Sequence, residues 1–408
     1  MAESVTPDPT RPLAGVRIVE ISSFVAVPLA GMTLAQLGAE VVRVDPIGGA
    51  ADYHRWPLTD GGDSIYWAGL NKGKRSLAAD MRSPEGQQLV QRLIAGAGVL
   101  ITNVAGRQWH SYDVLARLRP DLIHVEVSGR ADGSTGVDYT VNAGLGFPMV
   151  TGPAQLSTPV NHVLPAWDVS CGLYVALAVS AALRHRDSTG EGAGISIPLE
   201  NVALATAGNL GFLTEVMING TGRERLGNTL YGTYGQNFTS SDGVGFMLVA
   251  LTGRHFRDLT EVTGTTKAVA ALAEAFGADF TDEGQRYIHR DALTGLFTLW
   301  FSQHTADEIS AALSGTSVLW ERYRSFAEVA VDDRVVANPL FAPLDQPRIG
   351  TYLAPGLPMS IGGMYPPAVP APALGDDTTS VLVEHLGLDA DEIVALTESG
   401  TVATGTAQ

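Results

Sequence analysis

Hydrophobic runs and their interruptions divide the first half of the chain into alternating strands and helices. "VRIVEIS" (16–22) is a nearly unbroken, β-branched run, the pattern of a strand buried on both faces. "LAGMTLAQLG" follows with helical spacing, Pro28 standing at its first turn and Gly38 past its end. "EVVRVD" (40–45) predicts a second strand. A helix opens at Ser83–Pro84 and runs to about Ala95, and "GVLITNV" and "DLIHVEV" predict two more strands with a short helix near Val114 between them. "GAGISIPL" adds another strand, and "ENVALATAGNLGFLTEVMING" reads as one long helix ending at Gly220. This alternation predicts an α/β fold, a parallel sheet with helices on both faces. The pattern changes after Gly222 into a Gly-rich, aromatic stretch, and from Phe246 to about Ala330 it predicts a smaller α+β unit. A return follows with more prolines than a packed element tolerates, and then two short helices. The expected domains are 1–222, 223–330 and 331–408.

One predicted helix carries a carboxylate at its mouth. In "AWDVSCGLYVALAVSAALRHR", Asp168 precedes a run (169–183) that is small or hydrophobic at nearly every position, and the run closes on Arg184, His185 and Arg186. It predicts a helix buried nearly all round, with its terminal cations favoured by the helix dipole. As an N-cap, Asp168 would accept hydrogen bonds from the first-turn N–H groups. As a nucleophile it would need a dry site and a substrate with an activated carbonyl.

Composition narrows what this frame can carry. A formal net charge of −17 sets nucleic acid and anionic membrane aside as partners. The Asp168 helix comes nearest to a membrane span, but it reads as short and rich in small residues, so no span is expected. The start, "MAESVTPDPTRPLAG", lacks the basic and apolar regions of a signal peptide. With the single cysteine Cys171, an intrachain disulfide is impossible, which suits a reducing cytoplasm. Of three lysines, two lie in "NKGKRS", so Lys72, Lys74 and Arg75 form either a solvated loop or a landing site for a phosphorylated ligand.

Several chemistries lack their motifs. The first turn, "SSFVAVPLAG", has no G-x-G-x-x-G, so nicotinamide and flavin cofactors are not expected. No P-loop and no G-x-S-x-G elbow occur. The nine histidines show no H-x-x-x-H spacing, and one cysteine cannot build a thiolate cage, so no protein-bound metal is expected. Cys171 shares a helical face with Asp168, and a small buried hydrophobe is the better reading of it than a nucleophile.

Five stretches in order, "PLAGVRIVEIS", "LAQLGAEVVRVD", "NKGKRSLAADMRSPEG", "AWDVSCGLYVALAVSAALRHRDSTGEG" and "APALGDDTTSVLVEHLGL", resemble the family III CoA-transferases. The resemblance runs from Pro12 to about Leu388. It implies a Rossmann-like large domain built from both ends of the chain, an inserted small domain, and an interlocked homodimer. It implies coenzyme A, carried as an acyl-CoA substrate, and Asp168 as the catalytic nucleophile. It also implies CoA-binding positions at Phe24, Val25, Ala26, Arg43, Ala79, Arg82, Asn103 and Val104, and more loosely at Arg107. Pro46 departs from the pattern, since relatives often have Arg there. Val137 departs too, standing where the family's racemases have a proton-relaying histidine, and an apolar side chain cannot relay a proton.

Further segments, among them "VDYTVNAGLGFP", "NHVLPAWD" and "EVMINGTGRERLGNTLYGTYGQNF", resemble members that move CoA between the two carboxyls of 2-methylfumarate. Tyr139, Asn142 and His162 are then candidates for holding the substrate carboxylate. The alternatives are intermolecular transfer from a donor such as succinyl-CoA to a short acid, and a non-catalytic acyl-CoA-binding protein in which Asp168 only caps its helix.

Overall fold

The computed structural model describes residues 8–405, so most of the leader reading, from Met1 to Pro7, lies outside them. The early hydrophobic runs become β1 (Arg17–Ile21), β2 (Glu40–Asp45), β4 (Val99–Thr102), β5 (Ile123–Ser128) and β6 (Ala193–Pro198), and β3 (Arg75–Ala79) is a further strand that the pattern does not predict. They pair in parallel in the order β3-β2-β1-β4-β5-β6, the Rossmann order. Order reverses between β1 and β4, and at their carboxyl ends such a sheet leaves a crevice for a ligand. Across it, Ser23 N–H donates to Asn103 Oδ1 at 3.0 Å and Asn103 Nδ2 returns a bond to Ser23 O at 2.8 Å.

Contacts divide the described chain into two units. The large one comprises 8–145, 162–214 and 333–405, and the small one comprises 146–161 and 215–332. These boundaries differ from the sequence reading chiefly because residues 146–161 leave the first segment for the small unit. The small unit has the antiparallel sheet β7 (Tyr234–Thr239), β8 (Gly245–Ala250) and β9 (Leu319–Arg322), backed by helices such as Arg290–Gln303. Its core is aromatic, with Phe238 stacked on Phe301 at 4.3 Å between ring centroids. In the large unit the proline-rich return is more ordered than expected. It forms a hairpin, β10 (Phe341–Gln346) with β11 (Gly350–Pro355), whose Pro343 is tolerated because each strand of a two-stranded pair has a free edge. The helices Thr378–Leu386 and Ala390–Glu398 follow, and β12 (Val402–Ala403) pairs antiparallel with β3.

Two further expectations are corrected. The long helix predicted up to Gly220 breaks at Leu210–Gly211, where Gly211 takes φ +83°, giving Leu199–Asn209 and Phe212–Asn219. The Asp168 helix, Ala166–Thr189, is 24 residues long, enough by length and composition to cross a membrane. It is not buried all round: one face packs on Ala26–Gln36 and Leu199–Asn209, while Leu173, Tyr174 and Leu177 are 54%, 51% and 62% exposed.

The lysine cluster is not a solvated loop, and two of its three cations are held by carboxylates of the chain. Lys74 is buried, and its Nζ bonds Glu20 Oε1 at 2.8 Å, Pro28 O and Asn71 Oδ1. Burial pushes its pKa down to about 8, against the opposing pull of Glu20. Lys72 is buried as well, and Arg75 pairs with Glu40 and Glu384. The Glu20 carboxylate needs Gly31, because a Cβ there would stand 1.7 Å from Glu20 Oε2.

Candidate active site

The helix Ala166–Thr189 begins after Pro165, which has no side chain to cap it. Asp138, at the start of the short helix Asp138–Ala143, supplies the cap from elsewhere. Its Oδ2 accepts from the N–H of Trp167 at 2.8 Å and of Asp168 at 3.1 Å. Its Oδ1 accepts from His162 Nε2 at 2.8 Å. The capping task belongs to Asp138, and the Asp168 carboxylate takes no part in closing the helix.

Asp168 is half-buried. Burial first, and the Asp138 charge second, push its pKa up to about 6, with Arg55 opposing both. A carboxylate at that pKa is still mostly ionised at neutral pH, and it is poorly solvated, as a nucleophile should be. One turn on, burial and the Asp168 charge push the Cys171 thiol up to about 12, which leaves almost no thiolate.

The turn after β1 packs against Arg55, whose charge reaches Asp168. Phe24 has φ +67°, a left-handed conformation that is strained for a residue with a Cβ. It is held there by its N–H, which donates to Asp52 Oδ2 at 3.1 Å. Asp52 in turn pairs with Arg43 Nη2 at 2.9 Å. Arg43 is buried among Asp45, Asp52, Asn71 and Ser22 O. In this arrangement it supports the Phe24 turn through Asp52. The rings of Phe24 and Tyr66 flank the Arg55 guanidinium at 5.3 and 5.2 Å. Tyr66 feels the fields of both Arg55 and Asp168.

The sequence candidates fall into three groups. Tyr139, Asn142 and His162 gather around the mouth of the Asp168 helix, where each has a protein partner. Tyr139 Oη donates to Val163 O at 3.1 Å, Trp167 Nε1 donates to Asn142 Oδ1 at 3.1 Å, and His162 holds Asp138. Arg82, Val104 and Arg107 line a groove of about 810 Å³ at the carboxyl ends of the strands, with Ser22, Ser23 and Pro46. Ala79 is the last residue of β3, next to the groove residue Asp80, and Asn103 buttresses Ser23. Val25 and Ala26 are buried where Ala26–Gln36 begins. Sequence reading missed Asp138 and Arg55. Asp138 had one visible signal, its place beside the departing Val137.

The sequence model of CoA-transferase family III matches residues 13–378. The chain is 48% identical over 399 residues to 2-methylfumaryl-CoA isomerase of Chloroflexus aurantiacus, covering 96% of this chain and 98% of that protein. It is 28% identical to succinyl-CoA–D-citramalate CoA-transferase of the same organism, covering 95% of this chain and 97% of that one. Among solved structures, a CAIB/BAIF family protein from Brucella suis superposes with a TM-score of 0.74 at 26% identity, over 91% of this chain and 99% of that one. Rv3272 from M. tuberculosis shares the fold, with a TM-score of 0.75 at 23% identity over 91% of this chain and 99% of that one. With a family-model match over most of the length and 48% identity to 2-methylfumaryl-CoA isomerase across nearly the whole of both chains, on a Rossmann-ordered sheet, the chain belongs to CoA-transferase family III.

Proposed function

We propose that this protein moves CoA between the two carboxyls of one molecule of 2-methylfumarate, through a thioester on Asp168. The 48% identity to an isomerase of that ester, over nearly the whole of both chains, carries the reading. Asp168 Oδ attacks the thioester carbonyl, and the C–S bond breaks to give a mixed anhydride and CoA thiolate. The thiolate attacks the aspartyl carbonyl and expels the acid as a free carboxylate. The acid presents its other carboxylate to the aspartyl thioester, and the same two steps run in reverse. Sulfur and carboxylates exchange one acyl bond throughout, so no step calls for a metal or a redox cofactor.

The residues divide the work. Arg55, held between two aromatic faces, is the cation for the carboxylate not under attack, and that pairing is the bidentate kind Arg makes best. Arg82 and Arg107 bring positive charge to the groove, where the nucleotide end of CoA would lie, and replace what Pro46 lacks. Tyr139, Asn142 and His162 shape the mouth around Asp168. The exposed Leu173, Tyr174 and Leu177 suit a homodimer interface, and an acidic chain with one buried free thiol suits the cytoplasm.

Intermolecular transfer is the alternative, supported by the 28% identity to a succinyl-CoA-dependent enzyme. Isotope exchange separates the two. With 2-methylfumaryl-CoA and excess labelled free 2-methylfumarate, a held acid reacts at an effective concentration of roughly molar or more, far above any competitor. We expect isomerisation with little label entering either thioester. Label entering as fast as isomerisation overturns the intramolecular reading.

A further inference from the structure

Away from Asp168, the fold gathers two histidines and a glutamate that no spacing in the sequence links. His124 and Glu126 alternate along β5, so they project from the same face of the sheet. His110 closes the short 3-10 turn Gln108–His110. One candidate ligand atom from each of the three lies within 4.8 Å of the other two. His110 is 0% and His124 is 4% exposed. Among the described residues, neither His110 Nδ1, His110 Nε2 nor His124 Nε2 has a hydrogen-bond partner. A neutral imidazole carries one N–H donor and one acceptor, and leaving such atoms buried and unmatched is costly. Among the described residues no cation pairs with the Glu126 carboxylate, though the Arg107 charge reaches His110. Trp109 meets the His110 ring edge-on at 4.6 Å, and Tyr112 lies 6.3 Å from the His124 ring, so aromatic walls enclose the cluster. Tyr112 fits there because position 194 is glycine, where a Cβ would come 2.8 Å from its ring.

We infer that His110, His124 and Glu126 form a binding site for one divalent transition-metal ion of the zinc type. Two imidazoles and one carboxylate are a donor set that Zn²⁺ accepts, leaving a fourth position open. Both rings are buried with ring nitrogens left without a hydrogen-bond partner among the described residues, so a lone pair is free to ligate. Ligand atoms at about 2.0–2.2 Å from one zinc ion lie within 4.8 Å of one another, as these three do. The ion pins the Gln108–His110 turn to β5. Trp109 and the ligand His110 in that turn, and Arg107 just before it, line the 810 Å³ groove, so the metal fixes one wall of it.

The test uses the full-length protein, freed of metal by a chelator and then titrated with Zn²⁺ against a chromophoric competitor, and with Co²⁺ by absorption. We expect one equivalent bound per chain, a ligand-field spectrum with Co²⁺, and a higher Tm with metal than without. His124→Ala removes binding. Glu126→Gln keeps the shape, and it weakens binding by at least about 100-fold, since even loss of an outer-sphere partner costs ~10–100-fold. Glu384→Gln is the control, because Glu40, Glu384 and His385 form a second cluster already paired with Arg75. Folded wild type that takes up no stoichiometric metal overturns the site. So does a Glu126→Gln variant that binds as tightly as wild type, or binding that disappears in Glu384→Gln.

Discussion

Burial and the Asp138 charge hold the Asp168 pKa near 6, and this ties activity to stability. An unfolded aspartate titrates near ~3.9, so between the two values the folded chain holds a proton that the unfolded chain has lost. The ionised form therefore costs stability above pH about 6, and that cost is gone by about pH 4. Asp168→Asn should lose turnover by about 1,000-fold or more. It should also gain on the order of 1–2 kcal/mol of stability at pH 7 and none at pH 4, as read from denaturant melts at the two pH values. A near-wild-type rate, or lower stability at both pH values, would return Asp168 to a structural role. In wild type the same group sets an acid limb in kcat/KM near pH 6, which moves upward in Arg55→Ala because Arg55 favours the carboxylate. Asp168 was legible in the sequence because a charge before an apolar helix is conspicuous. Asp138 was not, because it caps a helix from a segment 30 residues away. The pairing of Arg43 was hidden for a related reason, since nothing in "EVVRVD" shows that Asp52 folds back onto it.

At the level of elements, Asp168 is placed by how closely two helices approach. A Cβ at Gly172 would stand 2.6 Å from Ala26 O and 3.2 Å from Leu29 Cβ, so Ala166–Thr189 and Ala26–Gln36 can meet only with glycine there. Inside a helix, Gly→Ala ordinarily gains about 1 kcal/mol. Here Gly172→Ala should instead destabilise by roughly 1–3 kcal/mol through overpacking. It should also lower kcat by about 10–100-fold, because Asp168, one turn earlier, moves with the helix. Unchanged melting and kinetics would show that the two helices yield without cost. Strands β1, β2, β4, β5 and β6 were legible because buried parallel strands read as apolar runs, whereas β3, inside the charged stretch "NKGKRSLAAD", was not legible as a strand. The break at Gly211 and the β10–β11 hairpin were not. Glycine is common inside predicted helices, and proline argues against a strand until the strand is known to lie at an edge.

For the whole molecule, the apolar stripe on the Asp168 helix outweighs the charge balance as a guide to assembly. Leu173 and Leu177 lie one turn apart with Tyr174 beside them, all exposed on a helix whose other face is core. We expect a dimer in sedimentation velocity, and Leu177→Asp should shift it to monomer while the chain stays folded. A wild-type monomer, or a variant that dimerises as well as wild type, removes the stripe from the interface. The order of the chain also governs how the large unit is made. The edge of β3 is closed by β12 and by Asp377 and Thr378, which accept from the N–H groups of Ser76 and Ala78. A ribosome delivers those residues after the whole of the small unit, at about 5–20 residues per second. Until they emerge, β3 presents unpaired N–H and C=O groups to every neighbouring nascent chain. The small unit has all its residues before then, so during synthesis the inserted unit can finish first, and the sheet that carries it waits with one edge open.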